Sequence, residues 1–260
     1  MCAVICGIIV WRGWNNESLR IVFFGFSDAD AILVAYGDHS ALIDTANKED
    51  TQELIKCLDS QRITRFDLLI LTHPDKDHIG GAVDVMKKFE VGAVFVSPFK
   101  KGSDSEERLS EYLAAANKRV ITPDAPVRIG WGDASVTIYP PGGSPPDLGS
   151  NESSLITVVQ YRDIRAVLPG DAVGGALAKM LEYPVYPCDL YKLPHHGRDD
   201  DISEQALRRL QPRFVVSTSE SVGGFVQKAM PAGAKVFYTA NGSIIAQSDG
   251  RDMHIYYAGE

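Results

Sequence analysis

Residues 73–81 read His-Pro-Asp-Lys-Asp-His-Ile-Gly-Gly and follow the mostly apolar run Phe-Asp-Leu-Leu-Ile-Leu-Thr at 66–72. Within six positions, His73, Asp75, Asp77 and His78 all carry side chains that ligate metal ions. The apolar run predicts a strand covered on both faces. The end of such a strand is where an α/β protein places its chemistry. A solvated polar loop is the competing explanation, and it accounts poorly for four potential ligands set directly after a buried strand. A chain with this stretch has to end a central strand in a ligand loop and bring further donors to it from elsewhere.

The flanking sequence supplies both sheet and cover. Apolar runs at 21–24, 31–35 and 39–43, with Tyr36-Gly37-Asp38 between the last two, predict a strand followed by a β-hairpin. Residues 50–58 carry apolar side chains at helical spacing. Residues 82–89 predict a helix that starts near the glycine pair. Residues 105–120 predict an amphipathic helix with Leu109, Tyr112, Leu113 and Ala116 on one stripe. Strands are expected at 91–96, 134–139, 155–161, 165–168, 190–193, 214–217, 235–239, 242–246 and 253–257, and short helices at 176–181 and 203–210. Residues 140–149, rich in Pro, Gly and Ser, read as a long loop and not as a domain boundary. Hairpins lead, strands then alternate with helices, and the style recurs in the second half. The expectation is two sheets packed face to face with helices outside, in one domain over residues 1–260.

Two more strand ends carry chemistry: Asp171 after Pro169-Gly170, and His195-His196 before Gly197. Each has an ordinary reading. Asp171 alone is a common turn residue, and one of the two histidines could be a core residue. The company they keep lifts them. Asp44 ends a strand and is equally well a turn residue or a partner that orients a ligand. Asn151 and Ser154 are loop residues by default, and Asp199, Asp200 and Asp201 suit a helix N-terminus. Lys76 and Arg198 stand beside ligands and could meet a phosphate, while His39 and His254 read as structural. Carboxylates mixed with imidazoles suit Zn, Mn or Fe. Two divalent ions in one site polarise a phosphoryl or carbonyl oxygen and hold a hydroxide nucleophile at neutral pH. No nucleophile elbow, P-loop or dinucleotide fingerprint competes with this site.

Composition narrows the classes. The 260 residues can bury a sizeable core. A net charge of −8 argues against a protein that simply coats nucleic acid, although bound divalent cations would restore positive charge at a site. Cys2, Cys6, Cys57 and Cys188 form neither a zinc ribbon nor a disulfide framework by their spacing, so free thiols in a reducing compartment are expected. Residues 1–11 are mostly apolar, lack a basic leader and are too short to span a bilayer. They read as a first strand or an ordered N-terminal segment. A cytoplasmic location without membrane association is expected.

Taken in order, several pieces resemble the metallo-β-lactamase fold. They are Asp-Ala-Ile-Leu-Val at 30–34, Ala-Leu-Ile-Asp-Thr at 41–45, Thr-His-Pro-Asp-Lys-Asp-His-Ile-Gly-Gly at 72–81, Asn-Glu-Ser-Ser-Leu at 151–155, Leu-Pro-Gly-Asp at 168–171, Lys-Leu-Pro-His-His-Gly at 192–197 and Asp-Gly at 249–250. Asp75, where the general family has His, resembles more closely the hydrolase domain of ComEC-type DNA-uptake channel proteins, here free-standing. The resemblance implies an αββα sandwich of two mixed β-sheets with outer helices, and two divalent metal ions, Zn or Mn. By family logic His73 and Asp75 serve the first ion, Asp77 and His78 the second, and Asp171 bridges them. His196 completes the second site, with His195 beside it or facing substrate. The general fold gives the first ion another His, but no His occurs between His78 and His195, so the first site is expected to be weaker. The subgroup's His-containing turn after the next strand is also missing, because residues 217–224 read Ser-Thr-Ser-Glu-Ser-Val-Gly-Gly.

The resemblance implies a metal-dependent hydrolase, with Asp77, His78 and Asp171 at the reacting centre and a nucleic acid or other phosphodiester as substrate. Two other readings stand beside it. One is a small-molecule ester, thioester or lactam hydrolase of the same fold. The other is a catalytically weak, metal-stabilised binding or scaffold module with a protein partner.

Overall fold

The computed structural model describes residues 18–142 and 149–259. The expectation for residues 1–11 lies outside them, as does most of the 140–149 loop. In chain order the elements are β1 (Leu19–Phe23), β2 (Ile32–Tyr36), β3 (His39–Ile43), α1 (Thr51–Ser60), β4 (Arg65–Leu71), α2 (Lys76–Ile79), α3 (Ala82–Lys88) and β5 (Glu90–Val96). They continue with α4 (Asp104–Ala115), β6 (Val120–Ile121), β7 (Val127–Trp131), β8 (Ala134–Tyr139), β9 (Ile156–Tyr161), β10 (Ile164–Leu168), α5 (Gly174–Met180) and β11 (Leu190–Lys192). The last are α6 (Ser203–Leu210), β12 (Phe214–Ser217), α7 (Gly224–Ala229), β13 (Lys235–Tyr238), β14 (Ile244–Ser248) and β15 (Met253–Tyr257).

The strands form two mixed sheets, ordered β15-β14-β1-β2-β3-β4-β5-β6 and β13-β12-β11-β10-β9-β8-β7. Alternation along each strand sends one set of side chains between the sheets and the other set outward under the helices. In β4, Leu68 and Ile70 enter the core between the sheets, which also holds Val136, Val159, Ala166 and Leu168 of the second sheet. Leu69 and Leu71 face outward onto a second core with Leu54 and Leu58 of α1, Val85 of α3 and Leu109 of α4. A third core lies under α5, α6 and α7, where Leu177, Leu207 and Val226 cover Tyr191 and Val215. This is the expected α/β architecture, an αββα sandwich, and β4 is indeed covered on both faces.

Several elements depart from the sequence reading. The predicted helix at 105–120 ends at Ala115, and Val120–Ile121 instead forms a short edge strand beside β5. Strand β7 was not expected; its apolar alternation is brief and sits between Pro126 and Gly132. Helix α7 was not expected either, because Gly223-Gly224 weakens its helical pattern. Cys188 is buried and free, but Cys57 is disulfide-bonded. Spacing says nothing of pairs distant in sequence, so the free-thiol expectation fails for Cys57, and with it the argument for a reducing compartment. Among the described residues no helix is long and apolar enough to cross a membrane.

The glycine pair has a packing cause. A Cβ on Gly80 would stand 2.5 Å from the Lys76 carbonyl oxygen and 2.7 Å from the Asn47 carbonyl carbon. Those atoms belong to backbone, so they cannot swing aside. Overpacking of this kind costs about 1–3 kcal/mol. Gly80→Ala is expected to lower the thermal midpoint by roughly 2–12 °C at about 2–4 °C per kcal/mol for a chain of this size. A melt unchanged from the parent would show that the loop at 45–48 yields freely.

Candidate metal centre

The parallel strands β3 and β4 of one sheet, and β10, β11 and β12 of the other, end at a shared rim. Asp44 follows β3, His73 to His78 follow β4, Asp171 follows β10, His195 and His196 follow β11, and Thr218 follows β12. Backbone bonds tie the rim across the two sheets. Leu155 N donates to the Thr72 carbonyl (2.9 Å) and Asp28 N to the Thr218 carbonyl (2.8 Å).

Asp75 opens the single turn of α2, whose His78 and Ile79 amides donate to the Asp75 carbonyl (3.0 and 2.9 Å). That turn sets Asp77 and His78 side by side. Thr45 fixes it from outside, with its N–H and hydroxyl both donating to the His78 carbonyl (2.7 and 2.9 Å). Asp44 accepts from the Thr72 amide and hydroxyl and lies 2.7 Å from His78 Nδ1. A carboxylate on Nδ1 fixes the tautomer that leaves Nε2 free to ligate. Of the two readings of Asp44, the orienting one fits.

Asp77, His78, Asp171 and His196 bring one ligand atom each within 4.8 Å of one another. His196 Nε2 lies 3.1 Å from Asp171 Oδ2 and 3.3 Å from Asp77 Oδ2, and His78 Nε2 lies 3.4 and 3.7 Å from the same two oxygens. The Nε2 atoms of His78 and His73 are both buried without a hydrogen bond, and at His78 the Asp171 and Asp77 oxygens stand close enough to share a cation with it. Two imidazoles and two carboxylates at this spacing fit a divalent ion.

His196 reaches the cluster through unusual backbone. His195, His196 and Gly197 are consecutively left-handed, with φ of 47°, 54° and 82°. Non-glycine residues adopt that region at a cost of about 1–2 kcal/mol each. The serine turn after β12 holds the strain: Ser217 and Ser219 hydroxyls both donate to the His196 carbonyl (2.9 Å each), and Gly223 N donates to the Gly197 carbonyl (2.8 Å). Thr218 Oγ1, 2.9 Å from His196 Nδ1, orients the ring. The stretch that lacks the subgroup's histidine therefore supports the histidine before it. His195 turns away, with Nε2 3.0 Å from an Arg198 guanidinium nitrogen.

The other predicted ligands are placed differently. The His73 ring packs 4.1 Å from that of His78, and His73 Nε2 is buried without a hydrogen bond. Asp75 Oδ1 accepts from Lys101 Nζ (2.8 Å) and from the Ser150 hydroxyl. Among the described residues neither His73 nor Asp75 joins a group of three or more close ligand atoms. Ser154, in the turn after Asn151, accepts from the Asp171 amide (3.3 Å).

The sequence reading missed Lys192 and its partner Asp30. Lys192 Nζ is fully buried, 2.5 Å from Asp30 Oδ2, 3.4 Å from Asp171 Oδ1 and 2.9 Å from the Gly170 carbonyl. The signal was present, as a lysine closing the buried strand Leu-Tyr-Lys. Asp30 and Asp44 also converge on His78 Nδ1, but Lys192 and Thr72 already partner them.

Charge is balanced tightly. Burial pushes Asp171 up, but His78, Lys192 and His196 together hold it well below the usual carboxylate range. Burial also pushes Asp77 up, yet the hydrogen bond from His196 and the His78 charge bring it down to about 2. Against the effect of burial, Asp171 and Asp44 raise His78 well above its ordinary value. Asp171 and Asp77 likewise raise His196 to about 9. Burial and the neighbouring His78 lower His73 to about 3, so it is a neutral imidazole.

Comparison with known proteins bears on the fold that carries this rim. The family described as the metallo-beta-lactamase superfamily matches residues 24–216. "ComE operon protein 3" of Bacillus subtilis (strain 168) is 29% identical over 167 residues, 63% of this chain, and the chain spans only 21% of that protein's length. Among solved structures, the metallo-beta-lactamase fold protein YhfI from Bacillus subtilis superposes with a TM-score of 0.60 at 12% identity, over 89% of this chain and all of that one. A structure described as a new diphosphatase from the PhnP family superposes at 0.53 and 12% identity, over 88% and 98%. Sheet order, rim and matched sequence together make this chain a member of the metallo-beta-lactamase superfamily.

Proposed function

We propose that this chain is a metal-dependent phosphodiesterase that acts on nucleic acid or a related phosphodiester. The observation that carries the reading is the Asp77–His78–Asp171–His196 cluster, whose paired carboxylates and oriented imidazoles suit Zn or Mn. A divalent ion there supplies Lewis acidity and a water acidic enough to ionise near neutral pH. Asp44 holds the His78 imidazole in its ligating tautomer, and Thr218 orients the His196 ring. Lys101 and Arg198, next to Asp75 and His195, bring cations suited to a phosphate to the same loops. The sequence motifs that resemble the DNA-uptake hydrolase domain support the phosphodiester class.

A second reading, a small ester or thioester hydrolase, has its own observation. A cavity of about 200 Å³ lined by Leu71, Pro74, Ile79, Phe99 and Leu109 reaches His73 and would accept an apolar acyl group. Assays on single-stranded DNA, an aryl phosphodiester and an aryl ester, each with added Mn or Zn, separate the two. The expected result is metal-dependent cleavage of the phosphodiesters, reduced at least about 100-fold in Asp77→Ala and His78→Ala, since loss of even an outer partner typically costs 10–100-fold. Ester cleavage alone would move the assignment to the second reading. Activity unchanged in both variants would exclude this cluster as the reacting centre.

A further inference from the structure

We propose that this chain binds one metal ion, not two, and that the Lys101 ammonium occupies the half of the site where the fold otherwise holds its first ion. The proposal rests on reading the Asp77–His78–Asp171–His196 cluster as a divalent-ion site. Three independent observations lead to it.

The donors are divided unequally. The cluster of four gathers its ligand atoms within 4.8 Å, whereas among the described residues His73 and Asp75 enter no group of three. No histidine between His78 and His195 is available to add to them.

The carboxylate on the weak side is already engaged. Asp75 Oδ1 takes the Lys101 ammonium at 2.8 Å and the Ser150 hydroxyl as well. An ion sharing that oxygen would sit against a positive charge already paired with it, and like charges a few ångströms apart repel.

The backbone that carries the lysine is also held in place, although its side chain is part exposed. Glu106 in the first turn of α4 reaches back so that Oε2 accepts from the Lys101 amide (2.8 Å) and the Gly102 amide (2.7 Å). Ser103 Oγ, at the N-cap of α4, accepts from the Glu106 amide (3.4 Å). Glu106 is buried. The cap therefore fixes the backbone of Lys101 within reach of Asp75. Its ammonium places one positive charge beside Asp75, where a second divalent ion would place two.

The test is metal stoichiometry, which does not depend on turnover. The full chain is stripped, then titrated with Mn or Zn, with bound metal counted by mass spectrometry at defined free-ion concentrations. The parent is expected to bind one tight equivalent. Lys101→Met is expected to keep it and gain a second equivalent at least roughly tenfold tighter than any weak second binding in the parent. Asp75→Asn is expected to retain the tight equivalent, and it carries the test by itself should Lys101→Met fail to fold. Two equivalents of similar affinity in the parent overturn the proposal. So does a single equivalent in both the parent and Lys101→Met, or loss of the tight equivalent in Asp75→Asn. One tight equivalent in a protein that cleaves no phosphodiester would leave this proposal standing and remove the proposed substrate class.

Discussion

Lys192→Met is expected to destabilise the fold by about 3–5 kcal/mol, because it leaves the carboxylate of Asp30 buried with its closest cation removed. For a chain of this size that corresponds to a fall in thermal midpoint of roughly 6–20 °C. The loss does not come from missing contact area, since methionine fills most of the volume. It comes from charge: Asp30 and Asp171 both lie against the ammonium, and neither is exposed to water. The double variant Asp30→Asn with Lys192→Met tests this directly. Removing both charges should recover more than half of the lost stability, as buried pairs replaced together are often nearly neutral. Equal destabilisation in single and double variants would mean that Lys192 acts through packing alone. Metal affinity should survive in the single variant, since a cation near Asp171 has been removed and no ligand with it.

Metal affinity should climb steeply with pH between about 7 and 9. In the metal-free chain His196 holds a proton up to about 9 and His78 holds one well above the ordinary value. Both must lose it to ligate, so binding releases up to two protons. Each proton released contributes about tenfold in affinity per pH unit, or roughly 100-fold per unit for two. The slope should lessen above about pH 9 as His196 loses its proton unaided. Stability of the metal-free chain runs the opposite way. The His196 value is raised from an ordinary 6.5, so its ion pairs contribute fully below about pH 6.5, and that contribution is lost as pH rises through about 9. Chelator competition from pH 6 to 9, with thermal melts in EDTA and in saturating metal, measures both trends. Affinity that is flat across this range would show that these imidazoles do not ligate.

Much of this was legible before any coordinates. The ligand loop, Asp171 and the histidine pair each follow an apolar run, and strand ends on a common rim are what such a pattern builds. Four of the seven named donors do converge on one point. What the sequence hid was charge supplied across long separations. Asp75 meets Lys101 only because a cap on α4 fixes the loop before it, and no periodicity announces that contact. The role of the serine turn at 217–221 was invisible for a similar reason. Its hydroxyls serve a carbonyl of another loop, held there by left-handed backbone that two histidines in a row do not suggest. Lys192 was the one miss with a plain signal, since a cation at the end of a covered strand needs a buried anion to sit beside it.

The shared rim has a mechanical consequence. Asp77 and His78 belong to the loop after β4 in one sheet, Asp171 and His196 to loops after β10 and β11 in the other. An ion held by all four closes chain loops on the order of a hundred residues, as a covalent cross-link would, and the entropy removed from the unfolded chain grows with that length. Ligation and the packing of the two sheets against each other then become a single cooperative event, so the strength of the grip on the ion also measures how firmly the sandwich is closed.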